Sequence, residues 1–168
     1  YQKLEDTYHP NEYRMAIFKD GLSVKNMDML NMFGTFDLTF HCKPQRFLKS
    51  GDSPISFSAN GSIQNPTLYE AKPLIKVILS SSSVTNATLG IGDQTVTINN
   101  PGSNTIYLDC DSMEAYYLGG GSLNVVYPIN DKVSFTNYNF PVLKPGNNGL
   151  ALGTGVSSIE VTPRWWTV

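Results

Sequence analysis

The residues best placed to do chemistry sit in the run LDCDSMEAY, which carries Asp109, Asp111 and Glu114. Asp109 and Asp111 share one face of a strand, and Glu114 follows just beyond it. Carboxylates at this density suit either calcium binding or glycoside hydrolysis. Calcium takes about six to eight oxygens from a loop built round a tight turn. This run has neither the spacing nor the central glycine of an EF-hand. A glycosidase sets two carboxyl groups across a cleft, normally from different strands. Nothing in the spacing selects such a pair, so the run reads as solvated carboxylates at a strand end.

Other chemistries find less. No GxSxG elbow is present. The only histidines are His9 and His41, and His41 falls on the polar face of its strand. LGIGDQ and LGGGS are glycine-rich, yet neither joins a strand to a helix as a phosphate loop must. Their glycines instead suit turns that need positive φ. Cys42 and Cys110 form no CxxC and no Cys/His cluster, which argues against a structural zinc site, since that needs four such ligands in register. Each cysteine ends an alternating apolar run and reads as a small buried thiol. NGS at Asn60 and NAT at Asn86 match the glycosylation acceptor pattern, which matters only in a eukaryotic secretory pathway.

The terminal TPRWWTV poses a different question. In an uninterrupted strand Ile159, Val161, Pro163 and Trp165 share the apolar face, and Glu160, Thr162, Arg164 and Trp166 the other. Trp165 is therefore expected in the core. Trp166 is expected outside, beside Arg164, unless Pro163 shifts the register. An outward tryptophan can stack on a sugar or pack against a neighbouring domain or subunit. Packing is the expectation, because Trp and Arg are enriched at protein contacts.

These positions need strands to hold them, and the rest of the chain supplies strands. It has 168 residues, long enough for one ordinary domain or a domain plus a fragment. Only 15% are charged and the net charge is −2, which argues against an electrostatic nucleic-acid binder. No apolar run is long enough to span a bilayer as a helix. Gly, Pro, Asn and Ser interrupt any helical period. TFDLTFHC places Phe36, Leu38, Phe40 and Cys42 on one face, and TIYLDC aligns Ile106, Leu108 and Cys110. PLIKVIL, TVTIN, LNVVYP and KVSF behave alike, separated by turn clusters at 90–94, 99–104 and 144–149. Short alternating strands with frequent turns predict an antiparallel β-sandwich or barrel. The Met-rich segment 22–33 is the one place that suits a short helix, and a loop with buried thioethers fits nearly as well. A boundary is expected at 48–54, LKSGDSP. The core is expected to include Trp165, Phe36, Phe40, Ile106 and Leu108.

Five stretches, taken in order, resemble one family. FDLTFHCKPQRFLKSG is similar to the segment that ends the first domain of the distal tail proteins of long-tailed phages infecting Gram-positive bacteria. IQNPTLYEAKPLIKV resembles the opening of that family's second domain. IYLDCDSMEAYY, FPVLKPGNNGLAL and the terminal VTPRWW follow at similar spacing. The resemblance runs from about Tyr13 to the C-terminus.

The resemblance implies an all-β chain. Residues 1–50 would be the C-terminal part of a ring-forming domain whose beginning is missing. Residues 51–168 would be a β-sandwich like a galectin or carbohydrate-binding module. It implies a structural protein of a phage or prophage tail tip, a baseplate hub linking tail tube to host-recognition apparatus. Its partners would be other copies of itself in a hexameric ring, the tail tube protein, and hub or receptor-binding proteins. Neither nucleic acid nor membrane insertion is expected. Its place would be the virion tail tip, and the host cytoplasm during assembly. The family offers no catalytic, metal or cofactor residues to carry over, so no enzyme activity and no cofactor are expected. Trp166, Arg164, Tyr116 and Tyr117 are the candidate interface or ligand contacts. The alternative is a carbohydrate-binding module reaching host wall polysaccharide through Trp166, Tyr116 or Tyr117. A wall hydrolase resting on Asp109, Asp111 or Glu114 is the third reading.

Overall fold

The computed structural model describes residues 1–21, 23–25, 35–120 and 125–168. The chain is all-β and divides into two compact units, Tyr1–Phe47 with Val168, and Leu48–Thr167.

In the first unit, β1 (Gln2–Leu4), β2 (Glu12–Phe18) and β5 (Phe40–Leu48) lie side by side in that order, with β1 antiparallel to β2. β3 (Ser23–Lys25) and β4 (Thr35–Asp37) form a separate antiparallel pair. Residues 23–25 of the expected helix are thus strand, and the remainder of 22–33 lies outside the described residues.

The run TFDLTFHC is not one strand. β4 ends at Asp37 and β5 begins at Phe40, so the strand is interrupted at Leu38 and Thr39. Phe40 is 41% exposed and Leu38 46%, which corrects the expectation that Phe40 is core. Cys42 is also exposed. The side chain of Phe36 lies outside what is described. Alternation decides which side chains share a face, not whether anything covers that face. What packs here is smaller: buried Tyr13 stacks on Phe47 at 5.4 Å, and Lys3 lies over the Tyr13 ring.

The second unit is an antiparallel sandwich. Its strands are β6 (Ile55–Phe57), β7 (Gly61–Asn65), β8 (Leu74–Leu79), β9 (Asn86–Ile91), β10 (Gln94–Asn99), β11 (Thr105–Asp109), β12 (Glu114–Leu118), β13 (Val126–Pro128), β14 (Val133–Phe135), β15 (Gly146–Leu152) and β16 (Val156–Thr162). One sheet runs β14-β10-β9-β15-β7 and the other β13-β12-β11-β8-β16-β6. Ile75, Val77, Ile106, Leu108, Ile159 and Val161 of the six-stranded sheet share one core with Leu89, Ile91, Val96 and Ile98 of the other. Each such fully buried side chain stabilises by about 1.5–3 kcal/mol relative to exposure. Polar or aromatic residues alternate with them, so Lys76, Tyr107 and Glu160 stand in register on the outer face. The two-residue turn between β9 and β10 places Gly92 at φ +59, a conformation glycine reaches without a Cβ penalty.

Candidate functional site

The acidic run becomes a salt bridge rather than a catalytic pair. Asp109 closes β11 and accepts two hydrogen bonds from one guanidinium, Arg164 Nη1 at 2.7 Å and Nη2 at 3.0 Å. The N–H groups of Asp111 and Ser112 also donate to its Oδ1, at 3.1 and 3.4 Å. Burial pushes the Asp109 carboxyl up, but Arg164 and these N–H groups outweigh it and hold it below the usual carboxylate value. A general acid needs the opposite shift. The expectation of a merely solvated carboxylate is corrected for Asp109, whose side chain is 19% exposed. Asp111 is solvated and only 3.7 Å from Lys72. Glu114, opposite Asp109 in register, is exposed. Among the described residues no three His, Cys, Asp or Glu side chains gather in a metal-binding group.

The end of the chain forms a latch within the second unit. β16 stops at Thr162, and Arg164 adopts φ +59 after buried Pro163. Regular strand geometry is lost, yet burial keeps alternating: Trp165 is 4% exposed and joins the core, while Trp166 is half-buried. The segment is tied at several points. Arg164 N–H donates to the Gly51 carbonyl and Leu48 N–H to the Trp165 carbonyl, both at 2.9 Å. A Cβ at Gly51 would collide with the Trp165 backbone nitrogen, so glycine there permits the close approach. Trp166 stacks on Tyr69 with ring centroids 4.4 Å apart, and its Nε1–H donates to the Glu70 carbonyl at 2.9 Å. Arg164 points to Asp109, so it is engaged there rather than over the Trp166 ring.

The two candidate tyrosines face opposite ways. Tyr116 stands on the outer face, stacked on Tyr107 at 5.3 Å and 11°. Tyr117 packs against the core and stacks on Tyr127 at 5.1 Å. Tyr117 is therefore a packing residue and not an outward platform, because one step along a strand changes the face.

Three participants escaped sequence reasoning. Tyr107 meets Tyr116 only through the β11–β12 register, which no local pattern reveals. Asn65 and Asn148 are 2% and 3% exposed. Asn65 Nδ2 donates to the carbonyls of Tyr69 and Leu143, and its Oδ1 accepts from Thr67. Asn148 Nδ2 donates to the carbonyls of Lys144 and Gly146, and its Oδ1 accepts from Lys144 N–H. These amides brace the turns of QNPTLYE and KPGNNG, and the first of those turns carries Tyr69 and Glu70 to Trp166. A polar residue inside a turn motif is the available signal, but burial is not visible in it.

No protein-family model matches the chain, and no curated protein matches it. Among solved structures, the fold is similar to the Dit protein (gp 19.1) of phage SPP1, described as a paradigm of the hub adsorption apparatus in phages infecting Gram-positive bacteria. The TM-score is 0.64 at 14% identity, over 99% of this chain and 64% of that one. The chain thus spans less than two thirds of that protein's length.

Proposed function

We propose that this chain is a structural part of a phage or prophage tail tip, a hub between the tail tube and the host-recognition apparatus. The observation that carries this reading is the shared fold with the SPP1 hub protein across nearly the whole chain. On this reading the first unit belongs to a ring-building domain, and its partners are other copies, the tube protein and receptor-binding or hub proteins. The sandwich is a docking platform. The aromatics support that role over sugar capture: Trp166 is turned on Tyr69 and Tyr117 on Tyr127, which leaves fewer open ring faces for a saccharide.

The test is the mass in solution of the complete gene product by light scattering. A closed ring of about six copies is the expected result, in keeping with cyclic assembly. A monomer that persists at high concentration overturns the hub reading and turns attention to a glycan screen.

A further inference from the structure

On the outer face of the six-stranded sheet, half-buried Tyr116 lies beside a depression. Tyr116 gives one ring face to Tyr107. β11 and β13 flank β12 on opposite sides, and Pro128 of β13 is the register partner of Tyr116. The second ring face therefore turns toward β13. There a depression of about 220 Å³ opens, lined by Glu114, Ala115, Tyr116, Val126, Pro128 and Asn130. Apart from Asn130, its walls are apolar or aromatic around a single charged group, Glu114.

That charge is unmatched. Ser112 Oγ approaches Glu114 at 3.4 Å, and among the described residues no lysine or arginine pairs with it. Lys76 pairs with Glu160 at 3.2 Å and Arg164 with Asp109, and Lys72 lies near Asp111. A carboxylate beside an aromatic ring attracts a flat cation. Guanidinium suits both surfaces, because it stacks on an aromatic ring and pairs with a carboxylate through its fork of donors. An ammonium can also lie over the ring, but it lacks the planar fork that pairs with both oxygens of a carboxylate. Strand addition at this edge is a poor competitor. The N–H of Ile129 and the carbonyl of Val125 face β12, so the backbone of Pro128 faces outward, and proline has no N–H to offer. Of the outward backbone here only Val126 keeps an N–H, so recognition at this edge rests mainly on side chains.

We propose that this depression docks an arginine side chain of a partner protein, its guanidinium flat on Tyr116 and paired with Glu114. The aliphatic stem lies along Val126 and Pro128. The inference rests on the sandwich being a docking platform, but its test is separate from ring assembly.

The test is an NMR titration of the isotope-labelled chain with N-acetyl-arginine N-methylamide. The neutral citrulline analogue, the lysine analogue and methyl glycosides run in parallel. The expected result is saturable shifts confined to 114–118 and 126–130, with millimolar affinity. The citrulline analogue should bind at least about fivefold more weakly, and so should the arginine analogue to Glu114→Gln. Tyr116→Leu should weaken it comparably while leaving the fold's other resonances in place. Absent shifts, equal binding of citrulline, or shifts unchanged in Glu114→Gln overturn the proposal. A glycoside that shifts these residues when the arginine analogue does not replaces it with a sugar site. A chain that still forms rings while failing this titration loses only the arginine site.

Discussion

In the sandwich, Ile106 and Leu108 alternate with Tyr107 and Asp109 and are fully buried; in the first unit, Leu38 and Phe40 alternate with Thr39 and His41 and stand 46% and 41% exposed. The local patterns are alike. The surroundings differ: two sheets close over the first pair, whereas the described residues leave the second pair open to solvent. An alternating run creates an apolar face, and a second layer turns that face into a core. The sandwich therefore has its own buried core, while among the described residues the first unit leaves apolar side chains open.

The largest test of this contrast replaces one aromatic in each unit. Trp165→Ala removes a ring that is 4% exposed within the core and should destabilise the sandwich by about 3–5 kcal/mol. Phe40→Ala removes a ring already partly in water and should cost less than about 1 kcal/mol. Denaturant midpoints at constant m-value give both numbers. Equal effects would mean that burial in the single chain does not separate the units.

A smaller effect is expected from the buried amides. Asn148→Ala strips Lys144 N–H and the carbonyls of Lys144 and Gly146 of partners inside a closed turn. A loss of about 1–2 kcal/mol follows, since the buried amide gives up three hydrogen bonds to turn backbone that is itself partly exposed. The exposed polar pair of the first unit, His41 with Asp20 at 2.9 Å, is the counterpart. Its removal by His41→Ala should leave the unfolding midpoint unchanged, because exposed pairs contribute little. A stability loss in Asn148→Ala no larger than in His41→Ala would show that the turn is satisfied by water instead.

Next comes the salt bridge that ties the latch. The folded state holds the Asp109 carboxyl below its unfolded value, so its contribution is full above the ordinary carboxylate range. It is lost as pH falls through the depressed folded value. Part-exposed, the pair should supply about 1 kcal/mol. Asp109→Asn should therefore lower stability near neutral pH and flatten the decline below about pH 4. A parallel acid limb in wild type and variant would remove Asp109 from the titrating groups that matter.

The alternation of β8, β11 and β16 made the sandwich legible, because each strand carries its inward and outward sets in plain order. Trp165 was legible for the same reason, although the chain reaches that burial through Pro163 and a left-handed Arg164 rather than through a continued strand. Tyr117 was not legible as a packing residue. Its neighbour Tyr116 has the same chemistry, and only the register of β12 against β11 and β13 assigns their faces. Arg164 and Asp109 lie 55 residues apart in sequence, and their pairing is a property of the folded sheet. The break at Leu38 was hidden because the apolar period passes through it without interruption.

The two cysteines compare the units with little effect on stability. Burial, and then the Asp109 charge, push the Cys110 thiol up to about 12, and the side chain is 2% exposed. Reactivity follows the thiolate fraction and access, so Cys110 should be inert in the folded chain. Cys42, exposed in the first unit, should label readily. With a water-soluble disulfide reagent near pH 8, one thiol should react quickly and the second at least about a hundredfold more slowly. Denaturant should abolish the difference. Cys42→Ser should leave only the slow phase and Cys110→Ser only the fast one. If assembly covers the open face of the first unit, the fast phase should slow in the assembled form while Cys110 stays protected throughout. Slow labelling of Cys42 in the monomer would mean that this face is already closed, and the contrast between the units would then rest on the buried aromatics alone.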